Sequence, residues 1–157
     1  YKKAIELKPD YEQPFEELGL LYALKGDRLA IDYLNSTINI NPKNVNAMYA
    51  LGLFYQEHSM MQKALDMYQS ILKINPKHAD ALHNVGYINL VYKKSYQDAL
   101  TCFTKEIEVD SNFYQAYFNR GITYEKINQQ KKAEQDFKKV LELKPNHELA
   151  KKHLGRK

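Results

Sequence analysis

Glycine recurs at Gly19, Gly52, Gly86, Gly121 and Gly155, at successive spacings of 33, 34, 35 and 34 residues. A fixed period of this length across a chain of 157 residues restricts it to a stack of similar supersecondary units. A single such unit cannot bury its own apolar face, so each must lean on its neighbours. Two further residue types keep the same period. Pro9, Pro42, Pro76 and Pro145 each precede a glycine by ten residues, and Ser111 takes that place before Gly121. Ala30, Ala64, Ala99 and Ala133 follow the first four glycines by 11, 12, 13 and 12 residues. The one-residue variation therefore falls between glycine and alanine, where a turn can absorb it.

Each period holds two apolar stripes of helical spacing. The first surrounds the glycine: Phe15, Leu18 and Tyr22, then Met48, Leu51 and Tyr55, then Leu82 and Val85. The second surrounds the alanine: Ala30, Leu34 and Ile38; Ala64, Tyr68 and Ile71; Ala99, Phe103 and Ile107; Ala133, Phe137 and Val140. Two short amphipathic helices per unit follow. Where such helices cross as a hairpin, a side chain larger than Gly or Ala would push the axes beyond their usual ~8–10 Å. Glycine inside a helix costs roughly 0.5–1 kcal/mol relative to alanine, so its recurrence implies a return in packing. Proline cannot continue a helix, so Asn41-Pro42, Asn75-Pro76 and Lys144-Pro145 end the second helix of a unit. Asn112, Asn146 and Asn44 are available to cap the helix that follows.

The pattern large-x-x-Leu-Gly-x-x-Tyr, then Ala-x-x-x-aromatic, then a terminal Pro, resembles the tetratricopeptide repeat over the whole chain. The clearest copy is Ala47-Met48-Tyr49-Ala50-Leu51-Gly52-Leu53-Phe54-Tyr55 followed by Lys63-Ala64-Leu65-Asp66-Met67-Tyr68 and Asn75-Pro76. Asn89 in place of tyrosine, Arg120 in place of Leu or Val, and Ser111 in place of proline depart from it. Pentatricopeptide repeats share a similar period, but the Gly, Ala and Pro pattern matches them less well. The resemblance implies an all-α, right-handed α-solenoid of stacked antiparallel helix pairs. Four full repeats are expected at 12–44, 45–78, 79–113 and 114–147. Residues 1–9 read as the closing helix of a preceding repeat, because Ala4-Ile5-Glu6-Leu7-Lys8-Pro9 parallels Val140-Leu141-Glu142-Leu143-Lys144-Pro145. Residues 148–157 read as the start of a further repeat or a capping helix, with Leu149, Ala150 and Leu154 toward the array and Lys151, Lys152 and Arg156 toward water.

The resemblance also implies that the first helix of each repeat lines a concave, partner-binding side. On the face opposite the glycine stripe, Leu20, Tyr49, Leu53, Tyr87, Leu90, Phe118 and Ile122 would form an apolar patch of the kind that marks an interaction site. Tyr49, Tyr87 and Phe118 are expected as aromatic anchors, and Leu53 and Ile122 either as contacts or as packing between repeats. Asn84 and Asn119 each sit two residues before a glycine, and their amides can pair with an extended peptide backbone. His83 and Lys126 share the face. Glu16 and Glu17 occupy the first groove positions and would repel an anion, which argues against an acidic chaperone tail in the first repeat.

The expected function is a protein–protein interaction module acting as scaffold or adaptor, not an enzyme. Alternatives are a substrate-docking arm of a larger enzyme and, less favoured, a nucleic-acid-binding repeat protein. The net charge of +4 is mild, and the late lysines are interspersed with Glu134, Asp136 and Glu142, so no nucleic-acid partner is expected. The chain lacks a phosphate loop, a nucleophile elbow and a His-Glu-x-x-His stretch, so no cofactor or metal is expected. His78 and His83 are five apart and suit no metal pair, and the histidines read as loop and surface residues. Cys102 is alone, so an internal disulfide is excluded, and its place beside Phe103 suggests a buried inert thiol. With 27% charged residues, no apolar run approaches the ~18–20 residues that span a bilayer, and membrane insertion is not expected. A cytoplasmic address is weakly favoured, and exposed terminal helices could support self-association.

Overall fold

The computed structural model describes residues 1–8 and 10–155, and every regular element among them is helical. Pro9, expected to end a helix, and Arg156, expected to face water, lie with Lys157 outside the described residues. Two compact bodies divide the chain at Pro76. The N-terminal body holds α1 (Lys2–Leu7), α2 (Glu12–Leu24), α3 (Leu29–Ile40), α4 (Val45–Glu57) and α5 (Met61–Ile74). The C-terminal body holds α6 (Ala79–Ile88), a π-helical turn (Asn89–Lys93), α7 (Tyr96–Val109), α8 (Tyr114–Lys126), α9 (Gln130–Leu143) and α10 (Glu148–Leu154). Consecutive pairs α2–α3, α4–α5, α6–α7 and α8–α9 pack as hairpins. Helices α3, α5, α7 and α9 each end on the residue before or shortly before the Asn-Pro, Lys-Pro or Asp-Ser step that stops them.

Inside each hairpin the repeating glycine meets the residue four after the repeating alanine. A Cβ on Gly19 would lie 2.7 Å from Leu34, on Gly52 2.6 Å from Tyr68, on Gly86 2.7 Å from Phe103, and on Gly121 2.8 Å from Phe137. The large partner fills the space that glycine leaves, and the alanine lets the axes close around it. Ala30, Ala64, Ala99 and Ala133 are all fully or almost fully buried. Gly155 is different: it is the exposed C-cap residue of α10, and a Cβ there would meet nothing nearer than the Lys151 carbonyl at 3.5 Å.

The variable glycine-to-alanine spacing has two structural solutions. The first helices of three repeats end in the same loop, with a residue at positive φ (Gly26, Ser59, Asn128). Each loop closes on the carbonyl three residues after the glycine, as Asp27 N–H to Tyr22, Met60 N–H to Tyr55 and Gln129 N–H to Tyr124. The shorter first spacing is taken up after its loop, where the Asp27 carboxylate accepts the Leu29 N–H at 2.9 Å. In the third repeat the extra residue is absorbed inside the helix, not in a turn. A π-helical turn runs from Asn89 to Lys93, Lys94 takes the positive φ of 55°, and Ser95 N–H reaches back to the Asn89 carbonyl. A single-residue insertion into an α-helix takes this form.

Arg120, out of character at a core position, is neutralised where it stands. Its guanidinium bonds both oxygens of Asp136 at 2.8 Å and Thr104 Oγ1 at 3.4 Å, between the rings of Tyr117 and Tyr124. Asp136 occupies the position held by Tyr33, Met67 and Cys102 in the other repeats. A charged pair thus replaces an apolar pair, with both partners changed together.

The helix caps fall one residue later than the asparagines at 112 and 146 suggested. The capping position is two after the proline: Asn44 Oδ1 accepts the Ala47 N–H at 2.7 Å, and His147 Nδ1 accepts the Ala150 N–H at 3.1 Å. His78 Nδ1 does the same for Ala81 at 3.3 Å. Phe113, without a capping side chain, begins α8, while Asn112 uses its N–H on the Asp110 carboxylate. Asn44 was correctly placed because it sits at the capping position itself.

Candidate functional site

The first helix of each hairpin spends one face on its partner and leaves the other outward. In the N-terminal body, α2 and α4 converge on a cleft of about 420 Å³ lined by Leu20, Ala23, Leu24, Ala50, Leu53, Phe54 and Glu57. Phe54 is its buried floor, while Leu53 is 36% and Leu24 87% exposed. Tyr49 lies half-buried on the same helix, its ring 5.8 Å from that of Tyr68. Burial, with Tyr49 and Glu57 close by, moves the Tyr68 hydroxyl far above its ordinary range, so it stays protonated and donates to Gln56.

Glu12 and Glu16 are fixed on the same face. The Asn41 amide donates to both Glu12 oxygens at 3.0 Å, and the Asn44 amide donates to Glu12 and, at 3.0 Å, to Glu16. Asn44 thereby holds two carboxylates with its amide while its oxygen caps α4. The acidic character expected from Glu16 and Glu17 is carried by half-buried side chains, both on α2.

In the C-terminal body, α6 and α8 carry the remaining expected contacts. Tyr87 is 37% exposed, its ring edge-on to Tyr92 at 6.4 Å. Asn84 and Asn119 are half-buried. Ile122 and the exposed Lys126 border a second cleft of about 340 Å³ with Leu90, Val91, Lys94 and Tyr96. Leu90 leaves the expected exposed patch: it is 7% exposed and packs on Ala99 and Phe103, while Val91, like Leu24, Glu57 and Lys126 at the same position of the other repeats, is exposed.

Phe118 sits within packing of its own body. Its ring lies 5.8 Å from Phe137, 4.7 Å from His147 and 6.0 Å from His153, joining α8, α9 and α10. His83 is likewise engaged, its Nδ1 3.0 Å from Glu106 Oε1 and its ring edge-on to Phe103 and Phe113. Glu106 is 1% exposed; burial raises its pKa, and the His83 contact works against that rise.

The reading of the histidines as loop and surface residues holds for His58, exposed in the loop after α4, and is corrected for the other four. His83 and His153 are half-buried and paired with Glu106 and Glu125, and His78 and His147 cap helices. Their partners lie 23 and 28 residues away, beyond any local motif. The capping rings must offer an unprotonated Nδ1, since a charged imidazole has no acceptor.

Cys102 is buried, and burial pushes its thiol up to about 11. Among the described residues, no group of three or more His, Cys, Asp or Glu side chains could hold a metal ion, and no helix is long and apolar enough to cross a membrane.

Two tetratricopeptide repeat models match, one over residues 46–78 and one over 114–147. A crystal structure of MamA is similar, with 26% identity and a TM-score of 0.84 over 95% of this chain and 87% of that one. The Arabidopsis OM64 tetratricopeptide domain aligns at 27% identity and a TM-score of 0.67, over 71% of this chain and 92% of that one. The BBSome complex member BBS4 of Bos taurus is 26% identical over 125 residues, 79% of this chain. This chain spans about a quarter of that protein's length, 24%. With two repeats matched directly, and Gly19, Gly52, Gly86 and Gly121 each pressed against a large side chain of the partner helix, the chain belongs to the tetratricopeptide repeat family.

Proposed function

We propose that this chain is a protein–protein interaction module without catalytic activity of its own, and that it receives its partner on the outward face of the first helix in each repeat. The division into repeats at 12–44, 45–78, 79–113 and 114–147, flanked by 1–9 and 148–157, and their right-handed stacking belong to the same reading. One observation carries it. Large apolar side chains stay exposed along these faces, as Leu24, Leu53 and Tyr87 do, and Leu24 and Leu53 border the cleft between α2 and α4. Exposed apolar surface is costly unless something covers it.

On this reading Tyr87, Leu53 and Ile122 supply apolar contact, Asn84 and Asn119 hold the partner's backbone, and Lys126 offers a charge at the rim. Tyr49, His83 and Phe118, tied into packing, act by shaping the surface beneath the partner more than by anchoring it.

The test pans a peptide library on the immobilised chain and measures selected peptides by fluorescence anisotropy. Tyr87→Ala combined with Asn119→Ala should weaken their binding at least tenfold, about 1.4 kcal/mol. Unchanged affinity would take the site off α6 and α8. Submicromolar binding of mixed-sequence RNA at moderate salt, with no peptide selected, would replace the protein-binding reading with a nucleic-acid one.

A further inference from the structure

Helices α2 and α4 carry Glu12, Glu16, Glu17 and Glu57 and not one Lys, Arg or His. None of the four forms a salt bridge among the described residues. Glu12 and Glu16 are held by asparagine amides, which orient a carboxylate and leave its charge intact. The same two helices line the more apolar of the two first-helix clefts, about 420 Å³, in which Glu57 is the one charged lining residue. In the C-terminal body the position equivalent to Glu57, five after the glycine, is Lys126, so the two clefts differ in the sign of their rim.

We infer that the cleft between α2 and α4 accepts a partner segment in which leucine-like side chains are flanked by lysine or arginine. This rests on the interaction-module reading and adds the chemistry of its partner. The apolar floor gives burial to the aliphatic side chains. A cleft whose one charged lining residue is Glu57 attracts flanking basic residues and disfavours acidic ones, whose approach would set like charges together. Acidic charge lies in the N-terminal half of α2 and at the C-terminus of α4, where Glu57 lines the same cleft as the exposed Leu24 and Leu53.

The experiment uses the full chain and three labelled, C-terminally amidated peptides followed by fluorescence anisotropy. One has a Leu-Leu pair flanked by lysines, one has glutamates in place of the lysines, and one has serines in place of the leucines. The lysine–leucine peptide should bind, weaken as salt is added, and outbind each of the others by about tenfold or more. Leu24→Ser and Glu57→Lys should each weaken it, and Glu57→Lys should narrow the gap to the glutamate peptide. Glu108→Gln, an exposed change on α7, should leave the affinity unchanged; circular dichroism checks that each variant is folded.

Equal binding of the lysine and glutamate peptides, or no response to Leu24→Ser and Glu57→Lys in folded protein, overturns the inference. If library-selected peptides bind while the lysine–leucine peptide does not, the module reading stands and this one falls. If nothing binds, both fall.

Discussion

Replacing Gly52 by alanine sets two known effects against each other at one atom. Alanine is the better helix former by about 0.8–1.0 kcal/mol in a helix interior. Its Cβ would lie 2.6, 3.0 and 3.1 Å from the Cε1, Cζ and Cδ1 atoms of Tyr68. That ring has nowhere to go, being fully buried, packed by Tyr49 and tied through its hydroxyl to Gln56 at 3.2 Å. Overpacking of this kind costs typically about 1–3 kcal/mol. The upper half of that range applies to a rigid ring, so a net loss of about 1–2 kcal/mol is expected. Urea unfolding measures it, as a lower midpoint at unchanged slope. In a Tyr68→Ala background, kept folded with trimethylamine N-oxide, the new methyl enters a cavity and the same change should become stabilising. Gly155→Ala, with no neighbour closer than 3.5 Å, should be nearly neutral. A stabilising Gly52→Ala in the native background, or an equal effect in both backgrounds, would refute the steric reasoning.

Arg120→Leu alone strands a buried Asp136 and should cost about 3–5 kcal/mol, whereas Arg120→Leu with Asp136→Cys, residues used elsewhere in the repeats, should recover most of it in thermal unfolding. Glu106 has its folded pKa raised chiefly by burial, so its contribution to stability is fully present below the ordinary carboxyl range and is lost as pH rises through the raised value. The melting temperature of Glu106→Gln should therefore gain on the parent as pH rises across that window, and a variant that holds a constant distance or falls further behind would contradict the assignment. His147→Ala should cost about 1 kcal/mol and speed amide exchange in α10, while His147→Asn keeps the cap and should not. Cys102, raised to about 11, should resist a thiol reagent near pH 8 in the folded chain and react on unfolding.

The fold was open to reading because its determinants are local and periodic. Glycine, alanine and proline each answer one steric demand, and the demand returns every 33–35 residues. What escaped was the set of pairings that period cannot carry. Arg120 reads as a weakened contact until Asp136 is seen 16 residues on, and His83 reads as a surface residue until Glu106 appears 23 residues away. Asparagine was favoured as the cap by type, but register decides: the ring nitrogens of His78 and His147 stand where Asn44 stands, and Asn112 and Asn146 miss by one. The extra residue in the third repeat was visible as a spacing of 13, yet its absorption as a π turn depends on how a helix already packed against α7 can widen, and nothing in the spacing marked Leu90 as a core residue. For the binding face, sequence identified which side of each first helix is outward. It did not separate Tyr87, exposed there, from Phe118, whose ring is closed in by histidines of α10.

Amide chemical-shift mapping tests the central claim most directly. The full chain, labelled with nitrogen-15, is titrated with a library-selected peptide, and perturbations are sorted by helix. Shifts concentrated on the outward faces of α2, α4, α6 and α8 are the predicted result. Shifts concentrated on α3, α5, α7 and α9 would place the partner on the second helices and contradict the account.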